Sequence, residues 1–196
     1  MTDAAQVALE AGCFPEPHSA AVVAAQDVLR RLTRDVSNFP VPGVLFKDIV
    51  PVLGNAHGLG AVVAALAELA KASQVTKVAG IEARGFLLAA PVAVAAGVGL
   101  VPIRKAGKLP GETRRVDYAL EYGTATLEIQ EDAIESGDRV LVIDDVLATG
   151  GTGRAARDLL TGAGAAISGL AVLLELEALG GRAQLEPLPV CPLLVV

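Results

Sequence analysis

Aromatic side chains are scarce in this 196-residue chain: it has no tryptophan, two tyrosines and four phenylalanines, 3% in all. With 53% hydrophobic residues, its core must be built from Ala, Val and Leu. Cysteine is nearly absent too. Cys13 and Cys191 lie near opposite ends with no metal-like spacing, which points to a reduced compartment and no zinc module. Lys and Arg (16) are outnumbered by Asp and Glu (22) for a net charge of −6. No basic stripe offsets that acidity, so nucleic acid is excluded as a partner. No apolar run approaches the ~20 uncharged residues of a membrane span. The first residues lack the basic flank and apolar core of a secretory signal. A cytoplasmic protein with no membrane partner is expected, long enough for one domain with a substantial core. No internal repeat is present.

The rest of the chain is organised around Arg139 to Arg157, reading RVLVIDDVLATGGTGRAAR. Its first five residues, Arg139 to Ile143, form an apolar, β-branched run suited to the inside of a parallel sheet. Two carboxylates follow, Asp144 and Asp145. Next come Ala148, Thr149, Gly150, Gly151 and Thr152, then a helical pattern. Free amides in a glycine turn and the positive end of a following helix suit a phosphate monoester. The hydroxyls of Thr149 and Thr152 can donate to the same anion. The acids suit sugar hydroxyls, or a cation bridging to them.

Three other readings compete. Gly151, Gly153 and Ala156 satisfy the dinucleotide pattern G-x-G-x-x-G/A, and Glu175 follows at a suitable distance. However, seven residues separate Ile143 from Gly151, whereas a dinucleotide fold places the first glycine directly after its strand. An NTPase magnesium strand needs a G-x-x-x-x-G-K-[ST] loop, and the chain has none. A plain strand-to-helix turn with solvated acids remains open.

Four further stretches carry chemistry. Pro42 to Asp48 (PGVLFKD) is a proline-punctuated loop carrying Phe46, a core or ligand-facing ring, and the cation Lys47. Glu82-Ala83-Arg84 stands where the apolar run Lys77 to Ile81 ends and a helix opens, and strand carboxyl ends are where open α/β sheets bind ligands. Arg104, Lys105 and Lys108 cluster in a Gly- and Pro-containing segment without apolar period, a local anion site expected to be mobile until filled. Glu121 and Tyr122 fall between two alternating runs, Tyr118 to Gly123 and Thr124 to Gln130, which read as antiparallel strands.

The remaining pattern alternates strands with helices. A helix is expected from Ala20 to Val36, ended by Asn38-Phe-Pro-Val-Pro. A second, amphipathic helix carries Leu59, Val62, Val63, Leu66 and Leu69. Further strands are expected at 98–103 and 165–176, a short helix at 177–185, and an edge strand at 189–196. The fold class is α/β, with a doubly wound, mainly parallel sheet and the site along its carboxyl edge.

VLVIDDVLATGGT resembles the phosphoribosyl-diphosphate signature of the type I phosphoribosyltransferases, and PGVLFKD, EARGF, RKAGKLP and LEYG resemble segments of the adenine phosphoribosyltransferase family in the same order. The resemblance covers roughly residues 38 to 185. It implies a small hood, drawn from 38–50 and 176–196, and a flexible loop over the site; the Ala-rich residues 1–19 read as a poorly ordered arm and 20–196 as one domain. It implies that Leu45, Phe46 and Lys47 bind the base, the ring by stacking, although many members carry arginine at Lys47. Leu176 lies near the base and Tyr122 contacts substrate. EARGF becomes the pyrophosphate loop, often with a non-proline cis peptide between the residues here numbered Glu82 and Ala83, turning Arg84 toward the diphosphate. Arg104, Lys105 and Lys108 serve the same group, one across a dimer interface. Glu121 is the proton acceptor, and Ala148 to Thr152 hold the 5′-phosphate.

The implied reaction joins adenine to 5-phosphoribosyl 1-diphosphate, giving AMP and pyrophosphate in purine salvage. Asp144 and Asp145 face the ribose, directly or through Mg²⁺, and the enzyme is a homodimer. A transferase for another base (xanthine, hypoxanthine–guanine or orotate) and a non-catalytic sensor of the phosphorylated sugar are the alternatives. The reading requires that the two aspartates not be locked away in an ion pair and that the glycine turn stay open.

Overall fold

In a computed structural model, residues 18–119 and 123–196 are described. Most of the arm expected over 1–19, Cys13, Glu121 and Tyr122 lie outside the described residues. Ser19 belongs to the folded body: its hydroxyl accepts from the Val22 amide at 3.2 Å and donates to Glu68 at 2.7 Å. It thereby caps helix α1 (Ala20–Leu32).

Helix α1 stops short of Val36. Arg34–Ser37 is instead strand β1, paired antiparallel with β2 (Leu45–Asp48) in the register Asp35↔Lys47, Val36↔Phe46. Two cross-strand ion pairs, Arg34–Asp48 at 2.5 Å and Lys47–Asp35 at 2.8 Å, accompany the pairing. Val36 sits at a position compatible with either period, and pairing with a distant segment decided the outcome.

Seven strands form the main sheet, in the order β5-β6-β4-β3-β7-β8-β9. Five consecutive strands are parallel, out to the edge strand β9: β4 (Gly99–Lys105), β3 (Lys77–Ile81), β7 (Arg139–Leu147), β8 (Ala166–Glu175) and β9 (Val190–Val195). Beyond β4 an antiparallel pair, β5 (Thr113–Ala119) and β6 (Thr124–Gln130), extends the sheet. Of the charged run 104–115, only its ends are strand, 104–105 closing β4 and 113–115 opening β5, while 106–112 connect them outside the sheet. Because 190–195 joins the main sheet, the hood cannot draw on the whole of 176–196.

Both faces of the sheet are covered, as a doubly wound fold demands. Along β7, Leu141 and Ile143 pack with α1, α3 (Ala56–Ala72) and α4 (Arg84–Ala96). Their neighbours Val140 and Val142 pack on the other face with α5 (Gly151–Gly162), through Ala155, Ala156, Leu159 and Leu160. This two-residue alternation puts every other side chain of a strand on the opposite face. A one-turn helix, α2 (Val50–Leu53), links β2 to α3. At the foot of the sheet, Asp138 ties the starts of β3 and β7 together. It accepts from Thr76 at 2.6 Å, from the Glu135 amide at 2.8 Å and from Lys77 at 2.7 Å.

Candidate active site

At the opposite, carboxyl edge of the sheet lies a cleft of about 450 Å³. Strand β7 supplies its floor, and it runs further than the apolar residues alone suggest. The strand continues through both acids to Leu147, held beside β8 in the register Asp144↔Val172 and Leu147↔Glu175. The acids are thus fixed on a strand rather than carried in a loop. The turn shrinks to Ala148, Thr149 and Gly150, after which α5 begins. Gly150 adopts φ +87° as the residue before the helix, a left-handed conformation that glycine enters without steric cost. Ala148, Thr149, Gly150, Gly151 and Thr152 all line the cleft with Asp144 and Asp145. The first-turn amides of α5 form its positive helix end, with no acidic side chain in that turn.

The two acids differ. Burial, reinforced by the Asp145 charge, pushes the Asp144 carboxyl well above the usual carboxylate range. One of its oxygens accepts the Asp145 amide at 2.9 Å. Asp145 is buried and ion-paired with Arg84. Here the structure departs from expectation, because Arg84 folds onto an aspartate instead of facing outward as a free diphosphate ligand. Asp145 is the counter-charge within that guanidinium's reach. The requirement that neither aspartate be held in an ion pair thus fails at Asp145 and holds at Asp144, which lines the cleft beside the open glycine turn.

Arg84 also reaches a second cavity of about 340 Å³ under the small β1–β2 sheet, whose lining includes Phe39, Phe46, Lys47 and Ile49. Its guanidinium carbon stands 5.8 Å from the centre of the Phe46 ring, within cation–π range. Phe39 meets Phe46 edge-on, centroids 5.1 Å apart. Of the three expected base contacts, Phe46 and Lys47 line this cavity, with the Lys47 ammonium paired to Asp35. Leu45 is half exposed at the start of β2 and lines neither cavity. Leu176 likewise lies off both, its amide donating to the Leu147 carbonyl at 2.9 Å.

The Glu82–Ala83 peptide is cis, as the resemblance implied. Glu82 lines the main cleft and accepts from Arg104 at 3.2 Å and from the Lys105 amide at 3.0 Å. Of the three expected cations, only Lys105 lines the cleft. Arg104 turns back to Glu82 and the Lys108 carbonyl, and Lys108 is exposed. The segment between them is anchored by Glu128, which is fully buried and accepts from the Lys108 and Leu109 amides at 2.9 and 3.0 Å and from Arg115 at 3.1 Å. Burial alone would raise the Glu128 carboxyl, but the backbone amides of Leu109, Lys108 and Gly107, with Arg115, outweigh it and hold it below its usual value. Sequence reasoning gave Glu82 no role of its own within EARGF and passed over Tyr118 and Glu128. Glu82 and Tyr118 line the cleft, and for Tyr118 and Glu128 the available signal was their place in or beside the alternating runs around Gly123.

A glycine turn at a helix start, acids on the preceding strand and a separate aromatic-walled cavity next door together suit a protein that handles a phosphorylated sugar beside a flat ring. The phosphoribosyl transferase domain family matches residues 53–187. An adenine phosphoribosyltransferase of Frankia alni is 58% identical over 91% of this chain and 94% of its own length. That of Kineococcus radiotolerans is 61% identical over 82% and 86%. The crystal structure of the Thermoanaerobacter pseudethanolicus enzyme superposes with a TM-score of 0.84 at 41% identity, covering 87% of this chain and 99% of that one. The Saccharomyces cerevisiae enzyme, solved with an imino-altritol bisphosphate and adenine, gives 0.83 at 38% identity over 88% and 99%. The chain belongs to the adenine phosphoribosyltransferase family, with the type I phosphoribosyltransferase fold.

Proposed function

We propose that this cleft transfers the phosphoribosyl group of 5-phosphoribosyl 1-diphosphate to adenine, releasing pyrophosphate and forming AMP for purine salvage, with the site residues in the following roles. The observation that carries the assignment is the pair of cavities sharing Arg84 as a wall: one has a glycine turn and two strand-borne acids, the other Phe46 and Phe39. The Thr149 and Thr152 hydroxyls and the amides from Gly150 to Thr152 take the 5′-phosphate. Binding energy from that remote group orients the anomeric carbon toward the base. As the bond to diphosphate breaks, positive charge grows on the ribose ring, and Asp145, with Asp144 in its ionised form, stabilises it. Lys105, with Arg104 and Lys108, neutralises the departing diphosphate. Arg84 exchanges Asp145 for the diphosphate when the donor arrives. Phe46 stacks on the adenine ring, Leu45, Lys47 and Leu176 surround it, Tyr122 contacts substrate, and Glu121 receives the base proton.

Among the described residues no three His, Cys, Asp or Glu side chains converge as a metal cage. Asp144 and Asp145 line the cleft side by side and, once Arg84 has left Asp145 and Asp144 has given up its proton, fit Mg²⁺, which favours oxygen donors, commonly uses one or two protein carboxylates, and takes its other ligands from phosphate and water. Asp144 and Asp145 would hold it, and it would supply charge neutralisation at the diphosphate. Leu87 and Val94, seven residues apart on one side of α4, are exposed apolar residues, 56% and 84% accessible, an apolar helix side that favours a homodimer. Among the described residues no helix is long and apolar enough to cross a membrane, and the enzyme is assigned to the cytoplasm.

The deciding experiment measures AMP formation from adenine and the donor with Mg²⁺, alongside a panel of bases and an EDTA arm. AMP formation that stops with EDTA is expected. Preference for hypoxanthine, xanthine or orotate would replace adenine as substrate. Donor binding by calorimetry without pyrophosphate release would replace the enzyme with a sensor.

A further inference from the structure

Arg182 received no role from the sequence, yet it sits in the segment that supports the glycine turn from behind. After β8 the chain makes two consecutive 3-10 turns, Glu177–Leu179 and Gly181–Gln184. The backbone of Gly181 lies directly against the turn that closes the phosphate site. A methyl group placed on Gly181 would fall on the Ala148 carbonyl oxygen, well inside any contact distance, and 2.9 Å from the Gly150 amide nitrogen. Reciprocally, a methyl on Gly150 would strike the Gly181 carbonyl oxygen and come within 3.0 Å of the Gln184 Cβ. The fit extends beyond this contact. Leu185, fully buried, closes against Gly153 in the first turn of α5, where an added methyl would lie 3.2 Å from a Leu185 methyl.

Arg182 holds this support in place. Its fork donates to both oxygens of Glu175, at 3.0 and 2.5 Å, and to the Val190 carbonyl at 3.0 Å. Glu175 is 5% exposed at the end of β8, so the second 3-10 turn is pinned to two strands of the sheet. We propose that Gly181 and Arg182 are positioning residues for the sugar-phosphate site. The pinned turn sets the height of the Ala148–Gly150 backbone, and with it the aim of the amides that receive the monoester. The inference rests on the reading of Thr149 to Thr152 as that phosphate site.

The test uses ribose 5-phosphate, which carries the monoester but neither base nor diphosphate, titrated calorimetrically into the full chain, with steady-state kinetics in parallel. Gly181→Ala is expected to weaken ribose 5-phosphate and raise the donor KM at least tenfold, while the adenine KM stays within twofold. Gly180→Ala is the matched control. It lies one residue away, with φ +64° and nothing within 4 Å of an added methyl, so it should strain the turn without moving the loop and leave both constants within twofold. Should Gly181→Ala not fold, Arg182→Lys carries the test. It keeps a charge beside Glu175 but cannot grip both oxygens and Val190 together, and a threefold or greater rise in the donor constants alone is expected. Wild-type affinity for ribose 5-phosphate in the folded variants, or equal weakening of adenine, overturns the inference. Thr152→Val separates the two levels. If it weakens ribose 5-phosphate while Gly181→Ala and Arg182→Lys do not, only the positioning role falls. If it has no effect, the phosphate site itself is misplaced and both fall.

Discussion

Replacing Asp144 with asparagine should make the unliganded protein more stable and the enzyme far slower. Burial first, and the neighbouring Asp145 charge second, hold the Asp144 carboxyl well above its ordinary value of 3.8. The native state therefore keeps a proton that the unfolded chain gives up near pH 4. Stability contributed by that proton is complete below pH 4 and falls as pH rises from there through the raised native value. Asparagine has no charge to desolvate, and its side-chain oxygen can still accept the Asp145 amide, as Asp144 does at 2.9 Å. Relieving a strained functional site of this kind gains about 1 kcal/mol, which for a chain of this size raises the melting temperature by about 2–4 °C. The gain should be present at pH 8 and vanish toward pH 4, where both side chains are neutral. Turnover should drop roughly 10²–10³-fold, as when one preorganised electrostatic group is lost from an active site. Calorimetric melting between pH 4 and 8, with AMP formation followed on the same samples, reads both effects. A variant that melts below wild type at pH 8, or a gap that ignores pH, would refute the buried-charge reasoning. Near-normal turnover would refute the catalytic role.

Phe46→Ala should raise the adenine KM by roughly 5- to 150-fold, the ~1–3 kcal/mol of one base–aromatic stack, and leave the donor KM alone; an unchanged adenine KM retires the hood cavity as base site. Asp138→Ala removes the buried partner of Lys77 and Thr76 at the far end of the sheet and should cost about 3–5 kcal/mol. Its effect should appear in thermal melts but not in turnover at 20 °C. Although burial raises the Asp138 carboxyl, Lys77, Thr76 and the Glu135 amide hold it below 3.8. That stabilisation is therefore present above about pH 4 and is lost as pH falls through the depressed native value. Glu121→Gln should abolish the acidic limb of the kcat–pH profile, and an identical profile would remove Glu121 as proton acceptor.

What could be seen in the residues depended on how local the cause was. Lys77–Ile81 is a strand at the expected bounds because its burial on both faces is written as an unbroken apolar run. The helix carrying Leu59 to Leu69 was legible for the same reason, one face repeating every three or four residues. Arg34 to Val36 were read as helix because their fate is set by a partner strand that begins only at Leu45. Thr113 to Arg115 carried too many charges to look like strand, yet Arg115 pairs with Glu128 across the sheet. The phosphate turn was recognisable in its residue types. What stands behind it was not, since nothing in Gly181 alone announces a neighbour thirty residues earlier. The ion pair between Arg84 and Asp145 was equally hidden, because both residues had been assigned to substrate.

That shared arginine has one more consequence. Arg84 is a wall of both cavities at once, so no ligand can draw its guanidinium away from one chamber without reshaping the other. Base and sugar are therefore linked thermodynamically: whatever factor the first guest applies to the affinity of the second must be returned in full when the order of arrival is reversed.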